Sequence, residues 1–83
     1  MHPDKVAALI SAALPGAEVR VRSDDQTHFE ARVVAAQFAG KRSIARHQMI
    51  YGALGALVGR EIHALSIEAL TPEEVGEIGR AHV

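Results

Sequence analysis

The hydrophobic periodicity of this chain changes along its length, and that change limits the folds it can adopt. Apolar residues first recur three and four positions apart, then alternate with polar residues in two short runs, and then return to the helical spacing. Alternation places one face of a strand in the core, whereas a spacing of three and four places one side of a helix there. The pattern therefore predicts an α+β domain.

Six elements follow from this periodicity and from the residues that start and end helices. The predicted order is a helix at 3–14, strands at 18–22 and 28–36, a helix at about 42–58, a strand at 62–70 and a closing helix that starts at 71 and frays after about 79. The buried side of the first helix comprises Val6, Leu9, Ile10, Ala13 and Leu14. The buried face of the second strand comprises Phe29, Ala31, Val33 and Ala35. Gly59 is the predicted C-cap of the central helix, and Thr71 and Glu74 have the spacing of a capping box.

The order of the elements predicts the topology of the sheet. Two alternating runs joined by a polar loop form an antiparallel hairpin, and the passage from strand through helix to strand places the third strand parallel to the second. The expected fold is an α+β sandwich, with a three-stranded mixed sheet and helices packed on one face. Gly52 and Gly55 interrupt the central helix, either because another backbone approaches closely or because the helix is weak there.

Length and composition indicate one small domain without thiols. The 83 residues, 48% hydrophobic and 23% charged, form a single domain at 1–83 with an ordered core at about 4–79. The absence of cysteine excludes disulfides, thiolate zinc sites and an iron–sulfur cluster held by this chain alone. No run reaches the roughly 18–20 apolar residues of a membrane span, and the N-terminus lacks the features of a signal peptide. A soluble cytoplasmic protein is therefore expected.

Charge is divided unevenly along the chain, although the formal net charge is only −1. Residues 41–60 carry four basic side chains and no acidic one, whereas residues 61–83 carry five acidic side chains and one basic. A basic central helix beside an acidic tail either guides an anionic partner or is simply a solvated helix face. Tight binding to duplex DNA normally needs a far more basic domain.

Five histidines in a chain without cysteine are its most informative chemical feature. His2 and His82 are expected to be disordered at the two ends, and His47 lies on the central helix. His28 opens the second strand, and His63 opens the third strand in phase with its core side. These two imidazoles are either structural or half of a metal site, which other ligands would have to complete because a closed zinc site needs four.

No catalytic motif accompanies these histidines. The sequence has no nucleophile elbow, P-loop, dinucleotide-binding fingerprint or HExxH helix. No serine or threonine is separated from a histidine by a spacing that indicates a triad. The chain is therefore not expected to be an enzyme.

Four segments of the sequence, taken together, resemble the BolA family. They are Phe38-Ala39-Gly40-Lys41-Arg42, Ala45-Arg46-His47-Gln48-Met49-Ile50-Tyr51, Ile62-His63-Ala64-Leu65-Ser66-Ile67 and Leu70-Thr71-Pro72-Glu73-Glu74. Thr27-His28-Phe29 also matches the family's Ser/Thr-His-Phe, and the short first loop resembles the smaller IbaG-like (YrbA-like) branch. The resemblance covers residues 6–74 and implies the αββαβ BolA fold, which is similar to a class II KH domain.

The resemblance also implies a partner and a cofactor. It implies pairing with a monothiol glutaredoxin of the Cys-Gly-Phe-Ser type, in which the pair and glutathione share a [2Fe–2S] cluster that the isolated chain does not bind. The ligating histidine of the family maps to His63. Its second ligand, from the loop between the first two strands, has no match in Ser23–Thr27, so His28 at the end of that loop is the expected substitute.

Charge alone adds a hypothesis about the surface that binds the partner. Lys41, Arg46 and His47 are candidates to meet acidic groups of the glutaredoxin or the carboxylates of glutathione.

Two other functions stay open at the level of sequence. The first is a KH-like nucleic-acid-binding regulator, although the one Gly-x-x-Gly of the chain, Gly52-Ala53-Leu54-Gly55, falls in the predicted central helix and not in a backbone-clamping loop. The second is an interaction module whose histidines are structural. Whether the isolated protein forms a homodimer is also open.

Overall fold

The computed structural model describes the backbone of residues 1–80 and the side chains of residues 1–76. Its elements are α1 (Pro3–Ala13), β1 (Glu18–Arg22), β2 (His28–Val34), α2 (Ser43–Leu54), β3 (Ala64–Leu70) and α3 (Pro72–Arg80), with 3₁₀ turns at Ala36–Phe38 and Gly55–Leu57. This order confirms the predicted succession of helices and strands. In the described part of the chain, no helix has both the length and the apolarity to cross a bilayer. The expectation of a disordered His82 lies outside the described residues.

The three strands form one mixed sheet in the order β1-β2-β3. β1 pairs antiparallel with β2, and β2 pairs parallel with β3, so both predicted pairings are confirmed. The register aligns Val21 with Ala31, and Ala31 with Ile67. β2 ends at Val34, two residues earlier than its alternation predicts. Because β2 and β3 are parallel, their first residues lie at the same end of the sheet.

The hydrophobic core lies on one face of the sheet, where α1 and α2 cover it. The largest fully buried side chains are Val6, Ile10, Phe29, Val33, Phe38, Ile50 and Ile62. Phe38 belongs to the 3₁₀ turn after β2, a segment that the sequence indicates only as a break. The predicted placement of the helices on one face is confirmed.

The opposite face of the sheet is open and carries charged side chains. Arg22 pairs with Glu30 at 2.7 Å, and Arg32 pairs with Glu68 at 2.8 Å. All four of these residues are exposed, so each pair stabilises the fold only slightly. The pairs neutralise much of the charge on this face.

The central helix is shorter than its periodicity predicts. α2 ends at Leu54, and Gly55, with a left-handed φ of 58°, takes the C-cap position predicted for Gly59. The apolar spacing continues to Val58 because a 3₁₀ turn follows the helix directly. Gly59, with φ 92°, lies instead in the turn before β3. A Cβ added at Gly52 would meet no neighbouring heavy atom within 4 Å, so a close backbone approach does not explain that glycine and a weak helix position remains.

The start of α1 is capped by a histidine. His2 precedes the helix in an extended conformation, and its Nδ1 accepts the N–H of Asp4 at 3.1 Å. The expectation of a disordered His2 is therefore wrong, because the side chain satisfies a helix N–H group that would otherwise lack a partner. Ala13, expected on the buried side, is exposed as the last residue of the helix, whereas Leu14 beyond it is buried.

Candidate functional site

His63 is an exposed residue directly before β3. The strand begins at Ala64, so His63 lies in a bend outside the alternation of the strand. The prediction that His63 shares the core side with Leu65 and Ile67 is therefore wrong, because alternation holds only within the strand. The imidazole is accessible in the folded domain without any disruption of β3.

The turn before His63 fixes this residue to the core. Ile62 is fully buried, its N–H donates to the Leu57 carbonyl at 3.0 Å, and its own carbonyl accepts the Gly59 N–H at 2.8 Å. Gly59 provides the left-handed backbone conformation that this turn uses and that residues with a Cβ adopt only at a cost. A buried and hydrogen-bonded residue thus stands directly before the exposed histidine.

His28 begins β2 at the same end of the sheet. Its Cα is paired with that of Ala64, and its side chain is exposed while that of Phe29 is buried, as the alternation predicts. The Thr27 carbonyl accepts two N–H groups, from His63 at 2.9 Å and from Ala64 at 3.2 Å. This shared acceptor holds the backbones of the two candidate ligands beside each other.

The loop before His28 is organised by the carboxylate of Asp25. Oδ1 accepts the backbone N–H groups of Thr27 at 3.0 Å and of His28 at 2.9 Å, while Oδ2 lies 2.6 Å from Nδ1 of His28. These hydrogen bonds, foremost that of the His28 backbone, hold the pKa of Asp25 well below its usual range. Asp25 is not among the residues that the sequence predicts for the site. An aspartate in a turn-forming stretch is a signal for hydrogen bonds to the backbone N–H groups that follow it, but it does not predict the contact with the His28 ring.

The two imidazoles offer nitrogen ligands but do not make a complete metal site. No group of three or more His, Cys, Asp or Glu side chains among the described residues is arranged to hold a metal ion. A depression of about 340 Å³ beside His28 is lined by Arg22, Ser23, Asp24, Asp25, Phe29, Glu30, Ala64 and Ser66. Neutral imidazole is a good ligand for iron, but a chain without thiols needs thiolates from elsewhere to hold an iron–sulfur cluster. His28 and His63 could therefore supply one or two nitrogen ligands to a cluster whose other ligands come from another molecule.

Arg46 belongs to the interior of the fold. It is 9% exposed, and its Nη1 and Nη2 donate to the Glu74 carboxylate at 2.6 and 3.1 Å. Nε donates to the Lys41 carbonyl at 2.9 Å, and Nη1 also donates to the Ala69 carbonyl at 3.0 Å. The hypothesis that Arg46 meets a partner needs a surface position, which this burial contradicts. Its hydrogen bonds instead connect α2, the end of β3 and α3.

Thr71 and Glu74 form the predicted capping box at the start of α3. The Thr71 N–H donates to Glu74 Oε1 at 2.8 Å, and the Glu74 N–H donates to Thr71 Oγ1 at 3.2 Å. The hydrogen bonds from Arg46, followed by that from the Thr71 backbone, lower the pKa of Glu74 to about 2. The hydrogen bond to Glu74 in turn raises the pKa of Arg46. Part of the basic segment is thus neutralised by the acidic segment of the same chain.

The other basic residues of the 41–60 segment are divided between the two ends of the sheet. Arg46 connects the backbone of Lys41 to Ala69 near the end of β3, whereas His63 precedes the start of that strand, six residues or about 20 Å away. Lys41, and His47 next to Arg46, therefore do not share a ligand pocket with His63. The exposed Arg60, in the turn three residues before His63, is the basic residue of the 41–60 segment that lies on the His63 side.

Comparisons with known proteins support the resemblance seen in the sequence. The profile described as BolA-like protein matches residues 10–74. The "Uncharacterized protein in rpoN-murA intergenic region" of Acinetobacter guillouiae is 39% identical over 75 residues, 89% of this chain and 89% of that protein. A solved structure of a BolA protein homologue from Coxiella burnetii matches with a TM-score of 0.80 and 32% identity, over 92% of this chain and 97% of that one. A Haemophilus influenzae protein named DNA-binding transcriptional regulator BolA is 41% identical over 49 residues, 59% of this chain and 48% of that protein.

Proposed function

Because this chain belongs to the BolA-like protein family, we propose that it is an adaptor that partners a monothiol glutaredoxin and shares a [2Fe–2S] cluster with it. In this complex His63 and His28 supply nitrogen ligands, while the glutaredoxin cysteine and a glutathione thiol supply sulfur. The adaptor serves in the trafficking of clusters or in iron homeostasis, and it does so by binding and not by catalysis. The narrower assignment to the IbaG-like branch stays a prediction.

The observation that carries this proposal is the exposed position of His63 beside His28. Ile62 fixes the segment of His63 in the core, and the Thr27 carbonyl binds the backbone of His63 directly before His28. An imidazole in this position is able to reach a docked partner while the fold stays intact. The absence of cysteine then requires that any thiolate ligands come from the other molecules.

Imidazole ligands would give the shared cluster particular properties. Replacing a thiolate by a neutral imidazole removes negative charge and raises the reduction potential of the cluster. An imidazole also exchanges a proton near neutral pH, unlike a ligand that stays charged throughout the physiological range. Both effects suit a cluster that is transferred to another protein or used in sensing. They are less suited to a cluster that is stored permanently.

The proposal is tested by adding the apo protein to a cluster-loaded monothiol glutaredoxin under anaerobic conditions. Visible absorption and circular dichroism are expected to change, because a nitrogen ligand from this chain replaces a sulfur ligand of the starting cluster. His63→Ala is expected to abolish this change. His47→Ala is the matched control, since His47 lies near the other end of β3, and it is expected to keep the wild-type spectrum at saturation. A wild-type spectrum from the His63→Ala mixture would contradict the ligand assignment.

Lys41 and His47 are proposed to contact the glutaredoxin away from the cluster. Lys41 lies just before α2 and His47 lies within its first turns, where the neighbouring Ile44 is 70% exposed. An exposed apolar side chain among basic residues suits docking to a partner surface that carries acidic groups at the rim of the interface. Lys41→Glu is expected to weaken the complex and reduce its dependence on salt while the spectrum of the bound cluster stays unchanged. Unaltered affinity in this variant would contradict the docking role.

A nucleic-acid-binding regulator is the second candidate, because the Haemophilus influenzae relative is named a DNA-binding transcriptional regulator. Lys41 and Arg42 are exposed at the start of α2 and are the residues best placed for phosphate contacts. Against this candidate, Arg22 and Arg32 are already paired with acidic side chains. Titration of a duplex at several salt concentrations tests it. Sub-micromolar binding that weakens steeply with salt and depends on Lys41 would favour it.

A further inference from the structure

Asp25 contacts His28 in a way that the turn itself does not require. Oδ1 alone accepts the two backbone N–H groups that close the turn, so the contact of 2.6 Å between Oδ2 and His28 Nδ1 is additional. The hydroxyl of Thr27 lies 3.1 Å from the same ring nitrogen. A carboxylate oxygen accepts hydrogen bonds, so a neutral His28 ring that donates in this contact has its proton on Nδ1 and its lone pair on Nε2.

Ser23 closes the same loop through contacts of its own, including a long one of 3.4 Å from its hydroxyl to Oδ1 of Asp25. Its hydroxyl donates to the His28 carbonyl at 2.6 Å and accepts the Gln26 N–H at 2.9 Å. Gln26 adopts a left-handed φ of 61°, which turns the chain at this point. These contacts do not involve Oδ2 of Asp25. A chemical change at Oδ2 therefore tests the orientation of the imidazole and spares the other bonds of the turn.

We propose that Asp25 is a positioning residue that makes His28 a ligand through Nε2, an inference that rests on the cluster role proposed above. Metal-binding histidines commonly donate their second ring N–H to a carboxylate, which fixes the tautomer and the ring orientation and strengthens the ligand. Among the residues whose side chains are described, none is hydrogen-bonded to Nε2 of His28. The candidate site is thus an Asp25–His28 pair beside His63.

The first test is the tautomer of His28 in the free protein labelled with ¹⁵N-histidine. Long-range ¹H–¹⁵N correlation spectra at pH 8, above the usual imidazole pKa of about 6.5, distinguish the two neutral tautomers and the doubly protonated ring. The expected result is a proton on Nδ1 of His28. An Nδ1 without a proton would overturn the proposal without the need for any variant.

The second test replaces Oδ2 alone. Asp25→Asn keeps Oδ1 for the turn and places an amide N–H donor opposite Nδ1, so the proton of His28 is expected to move to Nε2. Asp24→Asn is the matched control, because it makes the same change of charge at a neighbouring exposed carboxylate that has no hydrogen bond to His28. A dispersed amide spectrum shows that each variant is folded. An unchanged tautomer in folded Asp25→Asn would overturn the positioning role.

The third test separates this inference from the function on which it rests. Asp25→Asn is expected to weaken capture of the cluster from glutaredoxin about 10- to 100-fold, measured by titration of the visible circular dichroism, while Asp24→Asn matches the wild type. Equal affinity of Asp25→Asn and wild type, with His63→Ala still abolishing the change, would overturn the role of Asp25 and leave the proposed function standing. A wild-type protein that produces no spectral change would overturn both.

Discussion

Ile62 and His63 are adjacent in the chain, but substitution is expected to destabilise the fold at Ile62 and to change its stability little at His63. Ile62 is fully buried and packs in the core, whereas His63 is exposed and has no side-chain hydrogen bond to any residue whose side chain is described. Removing one methylene from a buried isoleucine costs about 0.5–1.5 kcal/mol, because a cavity replaces its contacts. Truncating an exposed side chain without partners has little effect on stability.

The size of the expected effect follows from the size of the domain. At roughly 0.05–0.15 kcal/mol per residue, a chain of 83 residues has a free energy of unfolding of about 4–12 kcal/mol. The melting temperature of so small a domain falls by about 4–8 °C for each kcal/mol lost. Ile62→Val is therefore expected to lower the melting temperature by about 2–12 °C. His63→Ala is expected to shift it by less than about 4 °C.

Thermal melts followed by far-ultraviolet circular dichroism, with urea titrations in parallel, measure both variants. The mildness of Ile62→Val keeps the domain folded, so its ability to change the spectrum of a glutaredoxin-bound cluster is measurable and is expected to persist. A fall of more than about 4 °C in the melting temperature of His63→Ala would refute the reasoning. It would mean that the imidazole contributes to the core, and loss of cluster binding in His63→Ala would then not identify a ligand.

Two further predictions concern α2 and its link to α3. Gly52→Ala is expected to raise the melting temperature, since alanine stabilises a helix interior by about 0.5–1 kcal/mol relative to glycine. Gly55→Ala is expected to lower it, because a residue with a Cβ is strained at the φ of 58°. Thermal melts of the two variants check whether the melting temperature shifts in opposite directions. The pKa of Glu74 in the folded state, about 2, lies below its ordinary value of 4.5, so its contribution to stability is complete above about pH 4.5 and is lost as the pH falls towards 2. Glu74→Gln is therefore expected to lower the melting temperature at pH 7 and to make it less sensitive to acid between about pH 4.5 and 2. Parallel acid profiles of this variant and the wild type would contradict the Arg46–Glu74 assignment.

Local signals predicted the elements that the structure contains. The alternation of β1 and β2, and the capping box of Thr71 and Glu74, depend on residues only a few positions apart. The end of α2 was not predictable in this way. Gly55 and Gly59 both have a left-handed φ, and the 3₁₀ turn between them keeps the apolar spacing of the helix. Periodicity alone therefore gave no reason to prefer the earlier glycine.

The site was predicted only in part, because its geometry depends on contacts between distant segments. The sequence predicts that His28 and His63 open their strands, which holds for His28. β3 begins at Ala64, so the exposure of His63 follows from where the strand starts and from the hydrogen bond to Thr27. The burial of Arg46 depends on Glu74, 28 residues away. The contact of Asp25 is local, yet it depends on a side-chain orientation that composition does not specify.

The proposed function is tested most directly by detecting the bond between iron and an imidazole nitrogen of this chain. The experiment combines protein labelled only with ¹⁵N-histidine with unlabelled, cluster-loaded glutaredoxin and glutathione, reduces the cluster to its paramagnetic state and records pulsed electron paramagnetic resonance. We predict a ¹⁵N hyperfine coupling of a directly bound nitrogen. It is expected to be lost in the His63→Ala mixture, because the cluster then stays with the glutaredoxin, and to be preserved in the His47→Ala complex. A reduced cluster in the assembled complex that shows no coupling to any ¹⁵N of this chain would contradict the proposed function.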